Sequence, residues 1–199
     1  MFAEREIVVD ATGHIAGKLA ACIAKKLLEG YRITVVSTEA AVFTGPLERR
    51  VGKYMSWKSK RCIVNPERGA FHYKEPSKYF YKVLRTMVPR KSNRGGEALK
   101  RLECYESIPK QFEGIERVKF PQALLSVSAN PDRKSCTLGQ LLSKFGWKHS
   151  NLSAQLTGNL LKREEEKRKA IEERKQKIEE FMKSGEFEKR MNDELNLLL

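Results

Sequence analysis

The chain has 199 residues, which suffices for one domain with an appendage or for two small domains. Its 39 lysines and arginines outnumber the 25 aspartates and glutamates, and the net charge of +14 predicts a partner of opposite charge. Apolar runs of only a few residues exclude a membrane helix of about 20 residues, and four cysteines without a C-x-x-C pair favour reduced thiols in a cytosolic protein.

The N-terminal part of the sequence predicts a βαβ unit. Residues 6–10 form a short apolar strand, residues 15–28 a helix with leucine or isoleucine at every fourth position, and residues 31–36 a β-branched second strand. Strands joined by such a crossover pair in parallel with a right-handed connection.

Two helices are predicted in the middle of the chain. After a break at Gly45 and Pro46, residues 47–60 form a basic helix. A loop rich in turn residues follows, and the apolar spacing from Ser77 onward predicts a helix that Pro89 ends.

The next segments predict two further strands. We interpret Gly95 and Gly96 as a break before a short helix at 97–101. Residues 102–105 and 122–128 are the third and fourth strand candidates. Residues 138–145 then predict a short helix with Gly146 as its stop signal.

The composition changes near the C-terminus. Residues 158–199 are rich in Lys, Arg and Glu and contain acid-first i,i+4 pairs, which predicts a solvated helical extension to a domain at residues 1–157. An apolar stripe near its end needs a surface to pack on, in this domain or in a neighbour. It consists of Phe187, Met191, Leu195 and Leu198.

The positive charge is concentrated in one segment. Residues 49–94 carry fourteen basic and two acidic residues, which gives this stretch a net charge of +12. Such density favours binding along phosphates, and a membrane surface is less favoured because no basic amphipathic helix with an apolar face is present. The interleaved aromatic residues either stack on RNA bases or form the core of this region.

One segment resembles a phosphate-binding loop without matching it. Gly13 and Gly17 are separated by three residues instead of four, and Leu19 follows Lys18 where a P-loop has Ser or Thr. A tight turn with close helix packing is the simpler interpretation, and a phosphate of RNA at the helix start stays open. The histidines lack metal-ligand spacing, so the sequence predicts no catalytic residue, metal or cofactor.

Several segments occur together in a recognisable order. They are residues 10–20, 69–78, 79–85 with 87–89, 91–95 with 98–102, 105–109, 118–123, 138–139 and 146–148. In this order they resemble the eukaryotic and archaeal branch of the universal large-subunit ribosomal protein thirteen family, over about residues 7–156. Thr86 and Ser107 stand where that family has glycine, and Ala70 where it has proline, which puts the local backbone geometry there in question.

The resemblance implies a fold and a function. The expected fold is a three-layer α/β domain with a four-stranded parallel sheet between helices, plus the charged helical extension. The expected function is that of a non-enzymatic constituent of the large ribosomal subunit, which binds large-subunit rRNA, supports assembly and translation, and needs no cofactor or small-molecule substrate. It is expected in the cytoplasmic ribosome, with nucleolar transit in a eukaryote, and its extension is expected to contact neighbouring ribosomal proteins.

Two other functions stay open at this point. The same basic surface would serve an RNA-binding translational regulator that works off the ribosome. A nucleotide-dependent enzyme built on the βαβ unit would instead show binding of ATP or GTP that depends on Gly13, Gly17 and Lys18.

We expect basic side chains to contact rRNA phosphates and 2′-hydroxyls, with His72 or Tyr73 stacking on bases. The predicted RNA-binding residues are Arg49, Arg50, Lys53, Lys58, Lys60, Arg61, Arg68, His72, Tyr73, Lys74, Lys78, Arg85, Arg90, Lys91, Arg94, Lys100, Arg101, Arg133, Lys134 and Lys148.

Overall fold

A computed structural model describes residues 6–183. Its elements in chain order are β1 (Glu6–Asp10), α1 (Ala16–Leu28), β2 (Arg32–Val36), β3 (Val42–Thr44), α2 (Leu47–Lys58), α3 (Pro76–Arg85), α4 (Asn93–Lys100), β4 (Leu102–Cys104), α5 (Leu125–Ser128), β5 (Ser135–Thr137), α6 (Leu138–Ser143) and α7 (Ser150–Lys183). Among the residues described, no helix combines the length and the hydropathy that a membrane span needs.

The main sheet has three parallel strands in the order β1, β2, β4. Strand β2 lies in the centre and is buried from Ile33 to Val36, as expected where helices cover both faces of a sheet. The parallel pairing of β1 with β2 across α1 confirms the predicted βαβ unit, and β4 confirms the third strand.

The prediction of a four-stranded parallel sheet is wrong. The fourth candidate, residues 122–128, forms the end of a 3-10 turn at Pro121–Ala123 and then the short helix α5. Pro121 cannot donate a ladder hydrogen bond. The Ala123 carbonyl instead accepts a hydrogen bond from the Ile15 amide at 2.7 Å, next to the start of α1. The two other strands, β3 and β5, form a separate antiparallel pair that the sequence did not indicate.

The core lies where α1 and α3 pack on each other and on the sheet. Helix α1 buries its Leu19, Ile23 and Leu27 side chains completely, and α3 does the same with Phe80 and Leu84. These positions recur at four-residue spacing on one face of each helix, so burial of this face holds both helices in place.

The predicted break at Gly95 and Gly96 is wrong, because both residues lie inside α4. The Ser92 hydroxyl caps this helix by accepting the Gly95 amide at 3.2 Å. A Cβ atom on Gly95 would lie in direct clash with the Pro89 carbonyl oxygen. Glycine is therefore required here for a close approach of helix and turn rather than for a chain break.

The remaining helix predictions hold within a few residues. Helices α2, α3 and α6 correspond to the predicted helices, and Gly146 after α6 has a φ of +98°. Of the departures from the family pattern, Ser107 has a φ of +56°, in the region that favours glycine. Thr86 has an ordinary helical φ of −73°, so no glycine is needed there.

The chain divides into two compact units between Ala154 and Gln155. Helix α7 confirms the predicted helical character of the extension as far as Lys183. The predicted stripe from Phe187 to Leu198 lies outside the described residues. The domain boundary between residues 157 and 158 stays a prediction.

Candidate nucleic-acid interface

Helix α2 has an inward and an outward face. Tyr54 and Trp57 are three residues apart and pack against the core. Arg49 and Lys53 are four residues apart and are exposed, which places them together on the helix surface. Neither forms an ion pair within the described part of the chain. The helix therefore offers two adjacent charges to an external anion.

Arg50 on the same helix has a structural role. Its Nε and Nη2 atoms donate to the Thr44 carbonyl oxygen at 3.2 and 2.7 Å. Its guanidinium carbon lies 4.9 Å from the centroid of the Phe43 ring. Arg50 is half-buried and ties α2 to β3, so this predicted RNA-binding residue is already engaged inside the protein.

The end of α2 and the loop after it carry a dense group of exposed cations. The helix ends at Lys58 and not at residue 60 as predicted, so Lys60 and Arg61 both lie in the loop. Lys58, Lys60, Arg61 and Arg68 are all exposed, and none has a carboxylate partner among residues 6–183. Four unpaired charges in so short a segment repel one another unless an anion binds.

A close backbone contact shapes this loop. A Cβ atom on Gly69 would lie 2.8 Å from the Cys62 amide nitrogen, so glycine allows the two ends of the loop to approach each other. Between these points, Ile63 and Val64 are 93% and 94% exposed. The loop thus presents an apolar tip among its cations.

His72 and Tyr73 are anchored on α2. The His72 Nε2–H group donates to the Trp57 carbonyl at 2.8 Å, and the two ring centroids are 4.6 Å apart. The Tyr73 carbonyl accepts a hydrogen bond from the Tyr54 hydroxyl at 2.8 Å. Both side chains are half-buried, whereas Lys74 is exposed. Stacking of His72 or Tyr73 on bases stays a prediction.

A second group of cations surrounds the C-terminal end of α1. Arg94 Nη2 donates to the Leu28 carbonyl at 3.4 Å, and Arg101 Nη2 donates to the Leu27 carbonyl at 2.9 Å. Positive charge at a helix C-terminus interacts favourably with the helix dipole. Arg94 and Arg101 therefore stabilise the fold, whatever else they bind.

Two predicted cations form ion pairs inside the protein. Lys78 pairs with Glu75 at 2.8 Å, and Lys100 pairs with Glu97 at 2.8 Å. The hydrogen bond and charge of Glu75 raise the pKa of Lys78, so this ammonium stays charged. Both pairs are exposed, and such pairs are weak enough to exchange a carboxylate for a phosphate.

The other predicted cations have no ion-pair partner in the described chain. All but Arg85, which is half-buried, are exposed. Lys134 is placed near the start of α2, because its carbonyl accepts the Gly45 amide at 2.7 Å. This set comprises Arg85, Arg90, Lys91, Arg133, Lys134 and Lys148.

Sequence reasoning missed Lys82. Its Nζ atom lies 3.0 Å from the centroid of the Trp57 ring, and burial lowers the pKa of this lysine. Lys82 is on α3 and Trp57 on α2, so no local spacing relates them. The only sequence signal was the position of Lys82 within the basic segment at residues 49–94.

In the segment that resembles a phosphate-binding loop, polar side chains bond to other groups of the protein. Gly13 has a φ of +72°, which confirms the tight turn. The buried His14 ring donates from Nδ1 to the Thr12 carbonyl at 3.0 Å and accepts the Phe120 amide at Nε2, at 3.1 Å.

Gly17 does not serve close packing, contrary to that part of the prediction. A Cβ atom there would meet no atom within 4 Å among the described residues. Lys18 donates to the Ser128 carbonyl at 3.5 Å, so its ammonium contacts the protein. Within residues 6–183, no group of three or more His, Cys, Asp or Glu side chains is arranged to hold a metal ion.

This α/β domain carries many exposed and mostly unpaired cations on α2, on the loop after α2 and in the α3–α4 region. Such a surface is typical of a basic nucleic-acid-binding protein. Residues 4–111 match the family described as Ribosomal protein L13. The chain belongs to this ribosomal protein family, whose members are structural components rather than enzymes. The resemblance found in the sequence is thereby confirmed.

Three animal relatives support this assignment. The chain is 41% identical to the large ribosomal subunit protein uL13 of Caenorhabditis elegans over 152 residues, which cover 76% of this chain and 75% of the relative. It is 43% identical to the protein of the same name from Spodoptera frugiperda over 155 residues, 78% of this chain and 76% of the relative. For Drosophila melanogaster uL13, the identity is 39% over 152 residues, 76% and 74% of the two chains.

Proposed function

We propose that the protein is built into the large ribosomal subunit, where its basic surface binds large-subunit rRNA mainly through phosphates and 2′-hydroxyls. One observation carries the proposal. Arg49 and Lys53 on α2 and the cations of the following loop are exposed and lack carboxylate partners within the described chain. When such cations neutralise phosphates, the counterions condensed on the RNA are released, and this release drives binding.

Most of the predicted residues fall into two functional groups. The exposed and unpaired side chains bind RNA directly: Arg49, Lys53, Lys58, Lys60, Arg61, Arg68, Lys74, Arg90, Lys91, Arg133, Lys134 and Lys148. Arg50, Arg94 and Arg101 hold α2 and the end of α1 in place through backbone carbonyls. Their contribution to RNA binding is to position the elements that carry the other cations.

In this proposal, the C-terminal extension binds a neighbouring ribosomal protein and not rRNA. Residues 151–199 contain equal numbers of basic and acidic residues, so they offer rRNA no net attraction. Helix α7 exposes Ile171, Ile178 and Met182 by about half of their surfaces. These side chains lie seven and four residues apart, on one helix face, and a neighbouring ribosomal protein would cover them.

In a eukaryotic cell, the protein joins the subunit in the nucleolus and works in cytoplasmic ribosomes.

A sedimentation experiment tests the proposal. The full chain carrying Lys60→Glu and Arg61→Glu is compared in cell lysates with the wild type and with a matched control, Lys162→Glu and Lys169→Glu. These two exposed lysines lie on the face of α7 opposite Ile171, Ile178 and Met182. Wild type and control are expected to sediment with large subunits and to resist a high-salt wash. The loop variant is expected to stay largely at the top of the gradient.

The outcomes separate the alternatives. Loss of the wild-type protein from the subunit peak at modest salt contradicts a structural role and favours the RNA-binding regulator that works off the ribosome. Equal incorporation of the loop variant contradicts the role of Lys60 and Arg61, which would then be solvated charges.

A further inference from the structure

A cleft of about 270 Å³ opens between α2, α3 and β3. Its wall is aromatic, with the rings of Phe43, Tyr54, Trp57 and Tyr79. Tyr79 lies 6.2 Å from Phe43, 6.1 Å from Tyr54 and 6.0 Å from Trp57, measured between ring centroids. Four rings from three elements therefore meet at one opening.

The rim of this cleft is cationic. Arg50, Lys53 and Lys82 line it together with the rings. Arg50 is engaged by the Thr44 carbonyl, whereas Lys53 is exposed and has no ion-pair partner in the described chain. No carboxylate lines the cleft, so nothing on its wall repels an anion.

The Lys82 ammonium covers part of this aromatic surface. Its ammonium lies 3.0 Å from the centroid of the Trp57 ring, and burial lowers the pKa of this lysine because it disfavours the charged form. A flexible four-carbon chain carries this ammonium. An anion at the rim would draw the ammonium outward and leave the indole free for another flat group.

The size and chemistry of the cleft select its ligand. Its volume is just below the roughly 300–1,000 Å³ of pockets for drug-sized molecules, so it fits one ring system and not an extended ligand. Aromatic walls stack on flat rings, and the two lysines attract phosphate. A nucleotide combines both features in one unit.

We propose that this cleft binds a single unpaired RNA nucleotide, with its base against Trp57 and Tyr79 and its phosphate on Lys53 and Lys82. The inference rests on the proposed function, because the neighbouring cations of α2 and its loop must bring RNA to this surface. The cleft would then be a binding site for one base, next to a protein surface that otherwise contacts the sugar-phosphate backbone of the RNA. Stacking tolerates any base, so the subsite reads the presence of an unpaired nucleotide and not its identity.

Two RNA hairpins that differ in one nucleotide test the proposal. The first is fully paired, and the second has a single bulged adenosine in the same stem. Binding of the full-length protein to each is measured at one fixed salt concentration. We expect about 10-fold tighter binding of the bulged hairpin, within the range that one stacked base contributes.

Variants connect this preference to the cleft. Trp57→Leu is expected to abolish the preference while changing the affinity for the paired hairpin by less than about twofold. Lys82→Gln, at the rim, tests the same site without removing a ring from the wall and is expected to weaken the preference. Lys25→Gln on α1 removes an equal charge outside the cleft and is expected to preserve it.

The results distinguish this inference from the function on which it rests. Equal binding of both hairpins by the wild type, or a preference that survives both cleft variants, overturns the subsite and leaves rRNA binding intact. Failure to bind either hairpin overturns both. Adenosine monophosphate that binds as tightly as the bulged hairpin overturns the assignment to RNA, because the ligand would then be a free nucleotide.

Discussion

The Ser107 and Ser153 hydroxyls lie 2.7 Å apart in the interior of the domain, and both contact Glu39. The Glu39 carboxylate also accepts the Ser107 amide at 3.0 and 3.1 Å. Ser107 has a φ of +56°, in the region that favours glycine. The serine hydroxyl thus supplies hydrogen bonds at a position where its side chain is conformationally strained.

Alanine at position 107 is expected to destabilise the domain more than glycine does. Ser107→Ala keeps the strained φ and loses both hydroxyl contacts, whereas Ser107→Gly loses the contacts and relieves the strain. The difference in the free energy of unfolding is expected to be about 1 kcal/mol. Urea denaturation of both variants measures it. Equal loss in the two variants would show that the backbone here carries no strain.

Gly95→Ala is expected to destabilise the protein by more than about 3 kcal/mol, in the range of severe core defects. The new Cβ would overlap the Pro89 carbonyl oxygen, and backbone atoms on both sides have little room to move. Thermal denaturation followed by circular dichroism measures the loss.

Gly96→Ala is the matched control in the same helix. A Cβ there meets no atom within 4 Å among the described residues, so alanine is expected to be neutral or to stabilise α4 by up to about 1 kcal/mol. Similar effects of the two substitutions would contradict the close approach at Gly95.

Local patterns predicted the part of the fold that local interactions determine. The βαβ unit followed from the spacing of apolar residues such as Leu19 and Ile23, since helix and strand periodicities are local. The β3–β5 pair could not be found this way. Each strand has three residues, and their register, with Val42 opposite Thr137, depends on a partner far along the chain.

The candidate site shows the same limit. The basic segment was visible as charge density, but the roles of its members were not. Arg49 and Arg50 are adjacent and chemically identical, yet Arg50 alone reaches the Thr44 carbonyl. Arg94 and Arg101 likewise contact the end of α1, which is distant in sequence. Only the tertiary structure tells such arginines from those available to RNA.

Protonation of His14 is expected to destabilise the domain at low pH. Burial holds the pKa of His14 below its usual value of 6.5, and a proton on Nε2 would break the hydrogen bond from the Phe120 amide. The unfolded chain therefore binds this proton more readily than the folded one. Stability is full above about pH 6.5 and falls as the pH drops below that value toward the lowered pKa of the folded state.

Comparison of two histidine variants isolates this effect. Denaturation midpoints are measured between pH 7.5 and 5. His14→Gln is expected to flatten the dependence in this range at a lower overall stability, whereas His149→Gln, at an exposed position, is expected to keep it. An unchanged slope in His14→Gln would assign the pH dependence to other groups.

Arg101→Met is expected to reduce stability by about 1.5–3 kcal/mol, the usual range for a hydrogen bond to a charged group. It removes the contact with the Leu27 carbonyl and the charge at the end of α1. Lys100→Met, at the adjacent exposed position, is expected to leave stability almost unchanged. Denaturant midpoints compare the two, and equal values would exclude a structural role for Arg101.

Removal of residues 159–199 is expected to leave RNA affinity nearly unchanged, because residues 151–199 carry no net charge. The same truncation is expected to reduce incorporation into large subunits, since the surface proposed for neighbouring proteins is lost. Affinity for an rRNA fragment is measured against salt concentration for the full chain and the truncated chain. Parallel lines on logarithmic axes would show an equal number of phosphate contacts in both. A shallower line for the truncated chain would place some of the phosphate contacts on the extension and contradict its assignment to protein contacts.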